Sequence, residues 1–96
     1  MTVSTHVLDT EHGRPAQGVR VELWQAEELV GAGETDADGR IRELGGGGPG
    51  TYRLVFHPPS PFFRSVELEI AVDDPHRHYH VPLLFSSYSC ASYRGS

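Results

Sequence analysis

Histidines at alternate positions are the feature of this sequence best suited to chemistry. His76, His78 and His80 are spaced by two, so an extended strand would project all three rings from one face. A neutral imidazole can accept a proton or bind a metal near neutral pH. From the residues alone, three interpretations stay open: a shared metal such as zinc, one catalytic or substrate-binding histidine, or a structural row.

Polar groups also occur near both ends of the chain. His6 lies in an alternating segment, 3–9, in which it shares a face with Ser4, whereas Val3 takes the other face. The last four residues combine a phenol, a guanidinium, a glycine and a serine. Although a lone strand histidine is more often structural than catalytic, these groups suggest a site where the two termini meet.

Two further motifs have simpler explanations. The segment from Asp36 to Arg42 begins like an EF-hand loop, but Gly45 stands where the bidentate glutamate would be required. A hairpin turn fits better, with Arg40 placed to bind an anion. There is no Gly-x-Ser-x-Gly motif for a serine nucleophile, and Cys90 is interpreted as a small packing residue.

In the segments that position these groups, apolar and polar residues alternate with a period of two, which is typical of half-buried antiparallel strands. The sequence predicts an all-β, two-sheet antiparallel sandwich with little or no helix. Three prolines between residues 56 and 66 disfavour a helix there, and the glycine run 45–48 is interpreted as a hairpin loop. The predicted strands lie near 3–9, 18–25, 28–34, 40–43, 51–57, 65–72, 77–84 and 88–93.

Composition limits the functional classes. The 96 residues predict one domain, 1–96, and 8 basic against 13 acidic residues give a net charge of −5. This balance argues against a nucleic-acid-binding protein. One cysteine excludes an intrachain disulfide, no apolar run approaches a membrane span, and the N-terminus does not resemble a signal peptide. We therefore expect no nucleic-acid or membrane partner and a cytoplasmic location.

Five short blocks, in order along nearly the whole chain, resemble the 5-hydroxyisourate hydrolases, the transthyretin-related enzymes of urate breakdown. The terminal Tyr-Arg-Gly-Ser and the His-Tyr-His block distinguish these enzymes from the hormone carrier transthyretin. The blocks are Ser4–Asp9, Gly13–Ala16, Thr35–Arg40, His78–Leu84 and Tyr93–Ser96.

The resemblance implies an eight-strand, two-sheet sandwich and a homotetramer with active sites at the dimer–dimer interface. It implies hydrolysis of the N1–C6 cyclic amide bond of 5-hydroxyisourate, without metal or other cofactor. A histidine would activate water and an arginine would stabilise the oxyanion. Carried over by motif, the catalytic residues are His6, Arg40, His80 and Tyr93, and the substrate-binding residues are Arg94, Gly95 and Ser96. Arg42 is the reserve candidate for the arginine.

The chain departs from the family pattern near its end, where Ser87 replaces a proline, Cys90 an aromatic residue and Ser92 a threonine. The segment 56–66 is also short. These differences concern interface packing and pocket lining more than the catalytic set. Two other functions stay open: a non-catalytic, transthyretin-like carrier of small molecules, and a metal-binding domain using the histidine row.

Overall fold

Two packed β-sheets form the protein, as the alternation predicts. The computed structural model describes residues 1–95, which contain no helix and hence none that could cross a membrane. The strands are β1 Thr2–Asp9, β2 Arg14–Pro15, β3 Arg20–Gln25, β4 Glu28–Glu34, β5 Arg40–Gly46, β6 Gly50–His57, β7 Val66–Val72, β8 His78–His80, β9 Leu83–Phe85 and β10 Cys90–Ser92.

The first sheet is organised around β1. It contains β10, β9, β1 and β2 in that order, and β5 and β8 also pair with β1. The second sheet has the order β4-β3-β6-β7 and is antiparallel throughout. The two-sheet architecture expected from the sequence is therefore confirmed.

The core lies between the sheets and consists of the alternate apolar positions of their strands. Side chains such as Val3, Val7, Leu54 and Leu83 are completely buried. Burial of this kind stabilises a fold by about 25 cal/mol for each Å² of apolar surface removed from water. The faces predicted for the segments 3–9, 51–57 and 65–72 are those observed.

The predicted strand 77–84 is in fact two strands, and both pair with β1 in parallel rather than antiparallel orientation. β8 aligns His80 with Ser4, and β9 aligns Leu83 with Val7. Pro82, which has no N–H to donate to a ladder, interrupts the strand between them. The chain stays close to β1 across the break, because the Val81 N–H donates to the Ser4 carbonyl at 2.9 Å.

The turn before β5 is hydrogen-bonded, but the prediction of a hairpin is wrong, because the turn connects β4 of the second sheet to β5 of the first. Oδ1 of Asp36 accepts from the backbone N–H groups of Asp38 at 2.9 Å and Arg40 at 3.0 Å. Gly39 has φ of 76°, and a Cβ there would lie 2.5 Å from the Val7 carbonyl oxygen. Glycine is therefore required at this position for both conformation and space.

Other local expectations differ slightly from the structure. Residues 58–65 form no regular element, in agreement with their prolines. Part of the glycine run, Gly45 and Gly46, belongs to β5, so only residues 47–49 form the loop to β6. This loop connects the two sheets, so its interpretation as a hairpin loop is wrong. Cys90 is exposed at β10, so its interpretation as a packing residue is wrong.

Candidate active site

Strand pairing brings three of the predicted site residues together on the outer face of the first sheet. β1 and β5 are aligned so that His6 is opposite Arg40, and β1 and β8 are aligned so that Ser4 is opposite His80. Ser4 and His6 are two positions apart on β1, so their side chains lie on the same face. The two histidines and the arginine thus converge from three neighbouring strands.

These strands form an open cleft of about 200 Å³, here called the polar cleft. Its lining consists of Ser4, Thr5, Arg40, Ile41, Arg42, His78 and His80. Arg42, the reserve candidate for the arginine, therefore lies in the same cleft as Arg40. Two guanidinium groups beside imidazoles suit a small anionic or carbonyl-rich ligand, because arginine offers several donors in a fixed fork.

His6 is not among the lining residues of the cleft, but it lies opposite Arg40 and its ring is oriented by a hydrogen bond. Its Nε2 is 2.8 Å from the carbonyl oxygen of Asp38 in the turn before β5. A carbonyl oxygen can only accept, so Nε2 carries the hydrogen and donates it. A neutral His6 therefore keeps its lone pair at Nδ1, which is the atom able to accept a proton.

His80 is the histidine whose environment most clearly favours a neutral ring. Partial burial lowers the pKa of His80 below its ordinary value, and the positive charges of Arg40, His6 and His78 lower that pKa further. A cation in this position would lose hydration and be repelled by its neighbours. His80 is thus held in the form that accepts protons.

Ser4 connects His80 to His78. The Ser4 hydroxyl oxygen is 2.7 Å from Nδ1 of His80 and 2.7 Å from Nε2 of His78. The other ring nitrogen of His78, Nδ1, is hydrogen-bonded to the hydroxyl of Thr2. A continuous chain of polar atoms therefore runs from His80 to the exposed end of β1.

The C-terminal residues contact two different parts of the structure. The Gly95 N–H donates to the His80 carbonyl at 2.8 Å, and a Cβ on Gly95 would lie 2.5 Å from the Cδ2 atom of the His80 ring. Gly95 therefore packs against the histidine as only a residue without a side chain can. Ser96, which is predicted to bind substrate, lies outside the described residues.

Tyr93 and Arg94 line a second cleft, on the other face of β8, here called the apolar cleft. Its volume is about 230 Å³, and its lining includes Leu68, Ile70, Tyr79, Val81, Tyr93 and Arg94. The guanidinium of Arg94 lies over the Tyr79 ring, 5.0 Å from its centre. Within one chain, these two predicted site residues are thus not brought to the polar cleft.

The side chains of His76, His78 and His80 do not converge on a common point. Within residues 1–95, no three His, Cys, Asp or Glu side chains are arranged to hold a metal ion. His76 lies in the turn before β8, and its backbone N–H donates to Asp74. His78 and His80 instead share the Ser4 hydroxyl.

Sequence reasoning did not identify Ser4 and Thr2 as parts of the site. Alternation placed Ser4 on the same face as His6, which was the available signal. Its contacts with His78 and His80 depend on the parallel register of β1 and β8, which joins residues more than 70 positions apart.

The fold and the cleft together define a class: a two-sheet β-sandwich with histidines and arginines on the outer face of one sheet. The family model for the HIUase/Transthyretin family matches residues 3–95, and the chain belongs to that family. This confirms the resemblance drawn from the five sequence blocks.

Relatives and solved structures are similar to this protein over almost the whole chain. The chain is 40% identical, over 114 aligned positions, to 5-hydroxyisourate hydrolase 2 of Rhizobium meliloti (strain 1021), covering 98% of this chain and 95% of the relative. The structure of Klebsiella pneumoniae 5-hydroxyisourate hydrolase matches with a TM-score of 0.89 and 31% identity, covering 100% of both chains. Sea bream transthyretin in complex with thyroxine matches with a TM-score of 0.87 and 26% identity, covering 99% and 95%.

Proposed function

We propose that the protein hydrolyses the N1–C6 amide bond of 5-hydroxyisourate, giving 2-oxo-4-hydroxy-4-carboxy-5-ureidoimidazoline. The observation that carries this proposal is the convergence of His6, Arg40 and His80 from neighbouring strands, with Arg40 and His80 lining the polar cleft. The similarity to the 5-hydroxyisourate hydrolase of Rhizobium meliloti (strain 1021) supports the choice of substrate. In this proposal, His80, His6 and Arg40 supply the base, the group that orients water and the donor to the oxyanion.

In this proposal, His80 accepts a proton from water while the water oxygen attacks C6. The lowered pKa of His80 keeps the ring neutral for this step. His6, fixed through its Nε2 hydrogen bond to Asp38, orients the water with Nδ1. Arg40 donates to the oxyanion at C6, and the proton then passes to N1 as the C6–N1 bond breaks.

The direct test follows the decay of freshly generated 5-hydroxyisourate by ultraviolet absorbance. We expect acceleration that is unaffected by a chelator and absent in His80→Ala. Decay at the spontaneous rate in a folded sample would contradict the proposal and favour the non-catalytic carrier. Loss of activity on chelation would instead favour the metal-binding interpretation of the histidine row.

We further propose that the protein is a homotetramer whose active sites lie between its dimers. The polar cleft is smaller than the roughly 300–1,000 Å³ of typical ligand sites, which is consistent with completion by a second copy. Tyr93 and Arg94 lie away from the His80 of their own chain. In an assembly, they would serve the polar cleft of another copy.

Combining two variants, each with a substitution at a predicted catalytic residue, tests this arrangement. His80→Ala and Tyr93→Phe copies, co-expressed so that they assemble together, should form some sites with neither defect. Activity above that of either variant alone is expected if one site uses both chains. Co-expression of two differently tagged His80→Ala copies is the control. No recovery in verified mixed oligomers would show that Tyr93 does not act across the interface.

A cytoplasmic location is also part of the proposal. The single cysteine, Cys90, is a free thiol on the surface, which suits a reducing compartment. Cell fractionation with an antibody against the chain would test this location.

A further inference from the structure

The proposed reaction gives no role to Ser4, although Ser4 contacts the proposed base. It belongs to β1 and lies between the two histidines of β8, with its hydroxyl oxygen 2.7 Å from a ring nitrogen of each. Only 8% of Ser4 is exposed, and both of these hydrogen bonds are partly buried. The hydroxyl therefore couples His78 to His80 directly.

The hydrogen bonds that connect Thr2, His78, Ser4 and His80 allow two consistent placements of the hydrogen atoms. The Ser4 hydroxyl has one proton, so it donates to one histidine and accepts from the other. If it donates to Nε2 of His78, then His80 carries its hydrogen at Nδ1 and keeps its lone pair at Nε2. His78 then carries its own hydrogen at Nδ1 and donates it to the hydroxyl oxygen of Thr2.

We propose that Ser4 and His78 form a proton relay that carries the proton taken up by His80 to the solvent-exposed ring of His78. The proposal rests on the hydrolase function. Water gives a proton to Nε2 of His80, the Nδ1 proton of His80 passes to Ser4, and the Ser4 proton passes to Nε2 of His78. The positive charge then resides on His78, and the reverse transfer returns a proton for the departing N1.

The surroundings of the two rings favour this direction of transfer. His78 is exposed to solvent, whereas His80 is half-buried. The groups facing His80 are Arg40 from β5, His6 from β1 and His78 on its own strand, and each positive charge among them disfavours a second cation. The pKa of His80 is lowered accordingly, so charge held on that ring is less stable than charge on a solvated one.

His78 would thus be a positioning residue that acts on the reaction through Ser4. His78→Gln separates this role from a structural one, because the glutamine carbonyl oxygen can accept the Ser4 hydrogen bond but cannot take up a proton. We expect kcat to fall roughly 10-fold, at the low side of general acid–base effects, with KM unchanged. His76→Gln, two positions earlier and outside the chain of hydrogen bonds, is the matched control and should retain full kcat.

The Ser4 variants test whether the two histidines act as one unit. Ser4→Ala should lower kcat as much as His78→Gln does, and the double variant should lose no more than either single one. Ser4→Thr keeps the hydroxyl and should restore the rate. A kcat for His78→Gln within about twofold of wild type, or additive losses in the double variant, would overturn the relay.

Ring tautomers provide a test that needs no substrate. In two-bond ¹H–¹⁵N spectra, recorded about one pH unit above the ordinary histidine pKa of about 6.5, His78 and His80 should both carry hydrogen at Nδ1. In Ser4→Ala, the His80 hydrogen should no longer be held there. A wild-type His80 protonated at Nε2 would refute the relay even if the enzyme is active. An inactive wild type with both Nδ1–H tautomers would refute the hydrolase proposal instead.

Discussion

The two clefts beside β8 have similar volumes but opposite characters, although a single strand separates them. His78 and His80 face the polar cleft, while the intervening Tyr79 and the following Val81 face the apolar cleft. The same backbone thus supplies titratable groups to one side and packing groups to the other. Because successive side chains of a strand point in opposite directions, adjacent residues have unrelated roles, and proximity in sequence is a poor guide to participation in the site.

The largest effect on kcat is expected for His80→Ala. It is compared with Val81→Ala, because these neighbouring residues face different clefts. His80→Ala removes the proposed base and should lower kcat at least about 100-fold with little change in stability. Val81→Ala leaves a cavity near the core and should reduce the free energy of unfolding by about 1–3 kcal/mol while kcat stays within a few-fold. Steady-state kinetics and urea unfolding measure both. If Val81→Ala, while folded, lost as much activity as His80→Ala, the two clefts would not be functionally distinct.

Gly95→Ala tests the segment that connects the clefts, since Gly95 contacts His80 while Arg94 contacts Tyr79. The added Cβ would displace the His80 ring, and a displacement of about 1 Å can reduce turnover up to about 100-fold. We expect kcat to fall roughly 10- to 100-fold with the melting temperature nearly unchanged. Full activity would show that the position of the C-terminal segment does not control the ring.

The pH dependence of kcat/KM tests the electrostatics of the polar cleft. Because the pKa of His80 is lowered, the ring stays neutral as the pH falls past about 6.5, so the acid limb should lie below that value. Arg40→Gln removes one cause of the lowered pKa, and the limb should move to higher pH. Arg42→Gln, which changes the same cleft without being one of the causes, is the control. An unmoved limb in Arg40→Gln would mean that His80 does not set the profile.

The smallest effect is expected at Ser87, which contacts neither ring of the site. Its N–H donates to the Glu11 carboxylate at 3.1 Å, its hydroxyl donates to the same oxygen, and both hydrogen bonds lower the pKa of Glu11. Ser87→Pro, the residue of the family pattern, would remove both donors. We expect a slightly lower melting temperature and unchanged kcat, measured against Ser87→Ala, which keeps the N–H. A large loss of kcat would connect this loop to the polar cleft.

The sequence was sufficient for those features that depend on local alternation. The inward faces of segment 3–9 and of Tyr79 and Val81 follow from side chains alternating along a strand. The parallel pairing of β1 with β8 could not be derived in this way, because register between distant segments is set by the whole sheet. For the same reason Ser4 was overlooked.

The central position of β1 has a consequence for how the protein folds. Residues 2–9 pair with residues 78–80 and 83–85. The sheet around β1 therefore cannot be completed until the last fifth of the chain has been synthesised. Contacts so distant in sequence slow folding, since a long loop must close before they form. During synthesis, the polar cleft therefore does not exist until its final strand emerges.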